Sequence, residues 1–250
     1  MANPQHNNNF KTRFIEVLES LDRYKDKGEH FRNFCTLSYC ALAKQTAFTK
    51  EEADSLEERY MSVVHSYKNK DDVRKMPELM SLTLTALQYG GCDFLGELAT
   101  ELDILDKENG QFFTPYHVAK MMSKMLLPDI PKTIEQDGFF SASDPAAGAG
   151  CMLLAIADEV TQQGFDLSEC LSVEAIELNR TTYHMLFVQL ALRGIPAHVV
   201  NGNSLTLEIF EEAYTPISKY FVNKHGCLFK KHANTKTVHT GNPQLNLFGF

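Results

Sequence analysis

Apolar residues recur at helical spacing through the first hundred positions. Phe14, Leu18 and Leu21 fall on one helix face, and Phe31, Phe34, Cys35, Tyr39 and Leu42 on another. Thr49, followed by Glu51 and Glu52, reads as the cap and acidic first turn of a third helix. Met80, Leu82, Leu84 and Leu87 predict a fourth, closed by Gly90 and Gly91. Phe94, Leu95, Leu98, Leu102 and Leu105 predict a fifth, stopping near Asn109 and Gly110. The aromatic and Met positions in this stretch read as core. Residues 1–109 are therefore expected to form a helical N-terminal layer.

After Gly110 the pattern changes. Thr114 suits a cap and Pro115 a first helical turn, ahead of a helix over residues 118–127. A short strand at Phe139 and Phe140 leads into Ser143-Asp144-Pro145-Ala146-Ala147-Gly148-Ala149-Gly150, and a helix follows over 152–163. Strands at 171–176 and 198–200 flank a helix over 179–193. Alternating strands and helices predict an α/β fold with a mostly parallel sheet over residues 110–212, leaving 213–250 as a tail.

Length and composition fit that division. The 250 residues hold one Rossmann-sized domain and a smaller appendage, and 44% apolar residues can bury a substantial core. The longest apolar runs, such as residues 151–157, are far too short to span a bilayer. The first ten residues are polar and Asn-rich, without an export signal, so a cytoplasmic location is expected. The cysteines (Cys35, Cys40, Cys92, Cys151, Cys170, Cys227) show no metal-ligand spacing, and reduced thiols are the expectation.

The net charge of −8 argues against a nucleic-acid partner until its distribution is considered. Glu212 is the last acidic residue. Beyond it come Lys219, Lys224, Lys230, Lys231 and Lys236, with His225, His232 and His239 among them. A segregated basic segment can follow a phosphate backbone even on an acidic protein. The alternative is a solvated tail with no partner.

The chemistry centres on the segment from Asp144 to Gly150, where a strand hands over to a helix. Glycines there let the backbone approach a ligand, and first-turn amides offer donors. No Lys-Ser/Thr follows the glycines, which excludes a phosphate-cradling P-loop. Glu177 closes the next strand, where a carboxylate holds ribose hydroxyls in Rossmann-like sites.

Four stretches in this order resemble the adenine-specific DNA methyltransferases, in particular the modification subunits of type I restriction systems. Gln111-Phe112-Phe113-Thr114-Pro115 is similar to the family's F-x-T-P motif, and residues 144–150 to its D-P-A-C-G-S-G loop. Glu177-Leu178-Asn179-Arg180 resembles its acidic strand end, and Asn201-Gly202-Asn203-Ser204-Leu205 its G-D-S-L turn, with Asn203 in place of the acid. The resemblance implies a Rossmann-like, S-adenosyl-L-methionine-dependent fold. It also implies a cofactor site of Phe113, Thr114, Pro115, Asp144, Ala146, Gly148, Gly150, Glu177, Leu178 and Asn203. An amide at 203 can still donate to and accept from the adenine edge.

The family also carries an Asn/Asp-Pro-Pro-Tyr/Phe motif one strand further on, which grips the target amine and stacks on the flipped base. No Pro-Pro occurs in this chain; the remaining prolines beyond Leu205 are Pro216 and Pro243, the latter in Asn242-Pro243-Gln244-Leu245. The catalytic residue is thus not identified. Gln244-Leu245-Asn246-Leu247-Phe248 resembles the bacterial sliding-clamp-binding pentapeptide, with Gln244, Leu245, Leu247 and Phe248 as anchors. Packing of this peptide onto its own domain is the alternative.

The leading expectation is a DNA adenine methyltransferase of low sequence specificity, since too little chain follows Asn201 for a target-recognition domain. It would contact DNA through the five tail lysines, on transiently single-stranded DNA near replication. The alternative is a non-catalytic cofactor-binding scaffold, or a subunit whose partner supplies the missing motif.

Overall fold

The computed structural model describes residues 4–104, 113–126 and 130–230, the side chains of residues 4–7 and 126 excepted. Six helices come first: α1 (Pro4–Glu19), α2 (Lys27–Ala43), α3 (Lys50–Ser66), α4 (Lys70–Val73), α5 (Met76–Tyr89) and α6 (Phe94–Glu101). Local chemistry sets their ends. The Asp26 carboxylate accepts from Glu29 N at 2.6 Å to open α2. Thr49 caps α3 through Glu52 N at 3.1 Å, while Glu52 reaches back to Phe48 N at 2.9 Å. Gly90, at φ 68°, ends α5.

The fifth predicted helix is shorter than its apolar pattern suggests. Asp103 takes φ 54°, and the Ile104 N–H returns to the Ala99 carbonyl at 3.0 Å. This left-handed stop closes α6 at Glu101. Asp in place of the usual Gly hid the stop from sequence reading. Leu105 lies outside the described residues.

The second half follows the predicted alternation: α7 (Tyr116–Leu126), α8 (Ile130–Asp137), β1 (Phe140–Asp144), α9 (Cys151–Gln162), α10 (Leu167–Cys170), β2 (Leu171–Glu177), α11 (Arg180–Leu192) and β3 (Ala197–Asn203). Two further elements, β4 (Glu208–Tyr214) and α12 (Ser218–His225), were not predicted, nor were the short helices α4, α8 and α10. At α7 the Pro115 carbonyl accepts from Ala119 N at 3.2 Å, so Pro115 rather than Thr114 holds the cap position.

The sheet runs β1-β2-β3-β4, with the first three strands parallel and β4 antiparallel to β3. Both crossovers step the same way across the sheet. Right-handed connections then place α9 and α11 on one face. The helical layer packs on that face: α11 lies against α2, α5 and α6, and α7 against α9. One continuous core joins Phe14, Phe31, Phe34 and Phe94 of the first half to Val173, Phe187 and Val199 of the second. The opposite sheet face is polar. There the Ser141 and Ser172 hydroxyls pair at 2.8 Å, and His198, stacked on Tyr214, meets Glu212 at 2.9 Å.

Residues 213–230 are part of the fold. The expected boundary at 212 falls inside β4, and α12 packs beneath the sheet, where Phe221 and Leu228 bury Phe139 in a small second core. The β3–β4 turn needs Gly202, because a Cβ there would lie 2.5 Å from the Glu208 carbonyl. Among the described residues β1 pairs only with β2.

Candidate functional site

The carboxyl ends of β1, β2 and β3 gather the residues singled out from the sequence. Asp144 ends β1, and its carboxylate accepts from Ala146 N at 3.0 Å, turning the chain into the glycine loop. Gly148 at φ 58° and Gly150 at φ 99° occupy the left-handed region. A Cβ at 150 would also meet Leu186 Cδ1 at 2.8 Å, and one at 148 would meet the Phe113 ring at 3.5 Å. Phe113 therefore lies over the loop. The Cys151 thiol donates to the Thr114 carbonyl at 3.1 Å, which fastens residues 113–115 to the first turn of α9.

Glu177 ends β2 two positions beyond Ala175, the register partner of Asp144. Its carboxylate accepts from Gly148 N at 3.0 Å and Asn179 N at 2.8 Å. Burial raises its pKa above the usual carboxylate range, and these backbone N–H groups and the Leu178 N–H pull the other way. At the end of β3 the Asn203 side-chain oxygen accepts from Leu205 N at 3.0 Å and Thr206 N at 3.2 Å, shaping the turn into β4. Pro145, Ala146, Leu178 and Leu205 are exposed around these ends and offer apolar surface.

Phe113, Thr114, Pro115, Asp144, Ala146, Gly148, Gly150, Glu177, Leu178 and Asn203 thus come to one end of the sheet, while Gln111 and Phe112 lie outside the described residues. The lysines do not join them. Lys224 pairs with Glu169 at 2.8 Å, ahead of β2, and Lys230 with Asp137 at 3.0 Å, ahead of β1. Both occupy the opposite end of the sheet from the glycine loop, and Lys219 is exposed on α12. Lys231 and Lys236, and the peptide residues Gln244, Leu245, Leu247 and Phe248, lie outside the described residues.

Sequence reading missed the supports. Asn201, 2% exposed, donates from Nδ2 to the Glu177 and Leu178 carbonyls at 2.8 and 2.9 Å and so fixes the turn carrying the acid. Asp158 accepts from Tyr116 Oη at 2.7 Å, Gly91 N at 2.6 Å and Arg193 Nη2 at 2.5 Å, joining α7, α9, α11 and the α5–α6 turn. The available signal was a polar residue inside an apolar strand or helix. Such a position is silent about its partners.

The site fits a nucleoside-bearing sulfonium cofactor. The glycine loop can approach it without side-chain obstruction, Glu177 presents a carboxylate for vicinal hydroxyls, and exposed apolar residues flank the strand ends for a purine. Two solved structures and one family model are similar to the chain. The chain resembles a Listeria monocytogenes protein assigned as a class I S-adenosylmethionine-dependent methyltransferase, at 16% identity and TM-score 0.39, over 79% of this chain and 55% of that one. It also resembles a Vibrio vulnificus YJ016 protein assigned as the modification subunit of a type I restriction enzyme, at 13% identity and TM-score 0.45, over 82% and 57%. The chain therefore spans little more than half the length of either structure. The model of the N-6 DNA methylase family matches residues 94–236, more than half of the chain and all of the site. The chain belongs to the N-6 DNA methylase family.

Proposed function

We propose that the protein transfers the methyl group of S-adenosylmethionine to the exocyclic amine of adenine in DNA. The observation that carries this reading is the convergence of Phe113 to Pro115, the glycine loop, Glu177 and Asn203 at the carboxyl ends of adjacent strands, within the matched family region. When bound, the cofactor supplies an electrophilic methyl on a sulfonium. The protein's own part is binding and orientation. Glu177 accepts from the ribose hydroxyls, the Asn203 amide meets the adenine edge, and Phe113 with Thr114 and Pro115 lines the methionine end. Asp144 shapes the loop through its bond to Ala146 N. The test is mass spectrometry of nucleosides from single- and double-stranded DNA incubated with protein and cofactor. N6-methyladenine is the expected product. Its absence, with cofactor binding intact, would overturn the DNA assignment.

A second reading has its own observation. The chain has no Pro-Pro, and among the described residues no strand pairs with the other edge of β1, the strand that leads into the glycine loop. A subunit that binds cofactor while a partner strand on β1 supplies the acceptor-gripping residues would have these features. Methylation that requires a second protein would favour it; methylation by the purified chain alone would dismiss it.

The expected basic contacts and docking peptide lie beyond Glu212, and both roles are part of this proposal. Lys224 and Lys230 are engaged with acids, and the phosphate contacts are proposed for the remaining lysines of the expected set, Lys219, Lys231 and Lys236. Gln244 to Phe248 would dock on a bacterial sliding clamp and raise the local concentration of the protein on DNA at replication. Removal of residues 231–250 should leave cofactor affinity unchanged, weaken DNA binding at low salt and abolish clamp binding. Unchanged DNA and clamp binding would place both surfaces elsewhere.

A further inference from the structure

The middle of α11 is apolar, Met185-Leu186-Phe187-Val188-Gln189-Leu190-Ala191-Leu192, apart from one residue. Gln189 is fully buried, and both N–H donors and the oxygen of its amide are engaged. Nε2 donates to the Ala149 carbonyl at 2.8 Å and to Asp93 Oδ1 at 2.7 Å, and Oε1 accepts from Leu95 N at 3.0 Å. One side chain thus joins the glycine loop to the N-terminal end of α6. Asp93 in turn caps α6 through Gly96 N at 3.0 Å and is 2% exposed, with no cation paired to it among the described residues.

The bond to Ala149 falls at the middle of the loop. Ala149 stands between Gly148 and Gly150, the two residues with positive φ. The peptide joining 149 to 150 is held from both sides, its carbonyl by Gln189 and its N–H by the Ala147 carbonyl at 2.9 Å. Among the described residues no other donor reaches the Ala149 carbonyl. Gly150, one of the two residues this peptide joins, tolerates a wide range of φ, so the peptide's orientation leans on those two hydrogen bonds.

We propose that Gln189 is a positioning residue for the cofactor: it sets the orientation of the glycine loop through the Ala149 carbonyl and anchors that loop to the helical N-terminal layer. The proposal rests on the glycine loop being the cofactor site. Burial raises Asp93 to about 6, in keeping with a carboxylate held by amide donors alone. The residue acts at the loop and at the layer, and the two actions are separable. Asp93→Ala removes one of the two bonds to the layer and the cap of α6 but leaves the Leu95 and Ala149 bonds in place. Gln189→Met is close in size and removes all three bonds.

The test compares wild type, Gln189→Met, Asp93→Ala and Glu177→Ala by calorimetric titration with S-adenosylmethionine, well below the melting temperature of each. Amide hydrogen exchange across residues 147–150 is measured alongside. Gln189→Met should weaken cofactor binding about tenfold or more, the scale of one lost buried hydrogen-bond network. Its loop amides should exchange faster while α9 and β2 remain protected. Asp93→Ala should lose comparable thermal stability yet bind cofactor within about twofold of wild type. If Gln189→Met does not fold, Gln189→Asn, one methylene shorter, is held to the same criterion. Unchanged affinity in the Gln189 variant, or equal losses in the Gln189 and Asp93 variants, would make the residue structural only and overturn the proposal. Failure of Glu177→Ala to weaken binding would show instead that the cofactor site itself is misplaced.

Discussion

His184 sits on α11, 2% exposed, with its ring stacked on Tyr39 at 4.4 Å and Nδ1 3.2 Å from Thr36 Oγ1. Its Nε2 is buried with no partner among the described residues, and burial, reinforced by Arg59 and Arg180, lowers its pKa to about 3. The unfolded chain takes up this proton near the ordinary histidine value of about 6.5, whereas the folded protein refuses it until about 3. His184 therefore costs stability as pH falls through that interval, by up to about 1.4 kcal/mol per pH unit. Asp93, raised to about 6, works in the opposite sense, because its folded carboxyl takes up a proton before the unfolded one does. His184→Phe should thus lose less stability than wild type between pH 6.5 and pH 4.5, measured by thermal unfolding. Parallel pH curves for the two proteins would refute the assignment. Neither residue stood out in the sequence, because a buried titratable group is defined by its three-dimensional surroundings.

At the scale of elements, chain-local chemistry was the most legible. Asn179 caps α11 through Thr182 N at 3.1 Å, and Thr49 caps α3, both as their residue types suggest. The three parallel strands were visible as short apolar runs between glycine-rich turns. β4 was not. Its sequence, Glu-Ile-Phe-Glu-Glu-Ala-Tyr, does not alternate cleanly, and Ile209 and Phe210 are both exposed. It is a strand because the Asn203 turn and Leu207, at φ 61°, reverse the chain onto β3. Contacts with the helical layer then hold it. Arg59 Nη1 meets both Glu211 oxygens at 2.8 and 3.0 Å, and the Thr46 hydroxyl donates to the Tyr214 carbonyl at 2.6 Å. Such partners lie more than 150 positions apart, beyond any local window. α12 escaped notice for a related reason: its lysines suggested a solvated tail, while Phe221 on the same turns is fully buried against Phe139.

For the whole molecule, the helical layer and the sheet share one interior. Tyr39 of α2 donates to Glu211 of β4 at 2.8 Å and its hydroxyl pairs with that of Tyr183, while Gln189 and Asp158 tie the loops of both halves together. Residues 113–230 expressed alone would expose Tyr183, Phe187 and Leu190 of α11, all fully buried here. Burying one such side chain contributes roughly 1.5–3 kcal/mol, a large fraction of a typical domain's net stability. That fragment should lack a cooperative thermal transition and bind the dye ANS. A fragment that melts cooperatively and binds S-adenosylmethionine would show two independent domains. Among the described residues no helix is long and apolar enough to cross a membrane.

The sequence by itself determined the α/β alternation, the glycine loop and its order relative to Phe113, Glu177 and Asn203. Caps, turns and strand ends are written in adjacent residues, and a cofactor loop needs particular residue types at fixed spacing. Only the tertiary structure decided that residues 4–104 and the sheet share a core, that β4 and α12 belong to the fold, and that Lys224 and Lys230 sit at the far end from the loop. It alone placed Asn201, Gln189 and Asp158 beneath the site. Each depends on groups distant in the chain meeting after the core has closed. Periodicity records which residues are buried, and carries no record of what they are buried against.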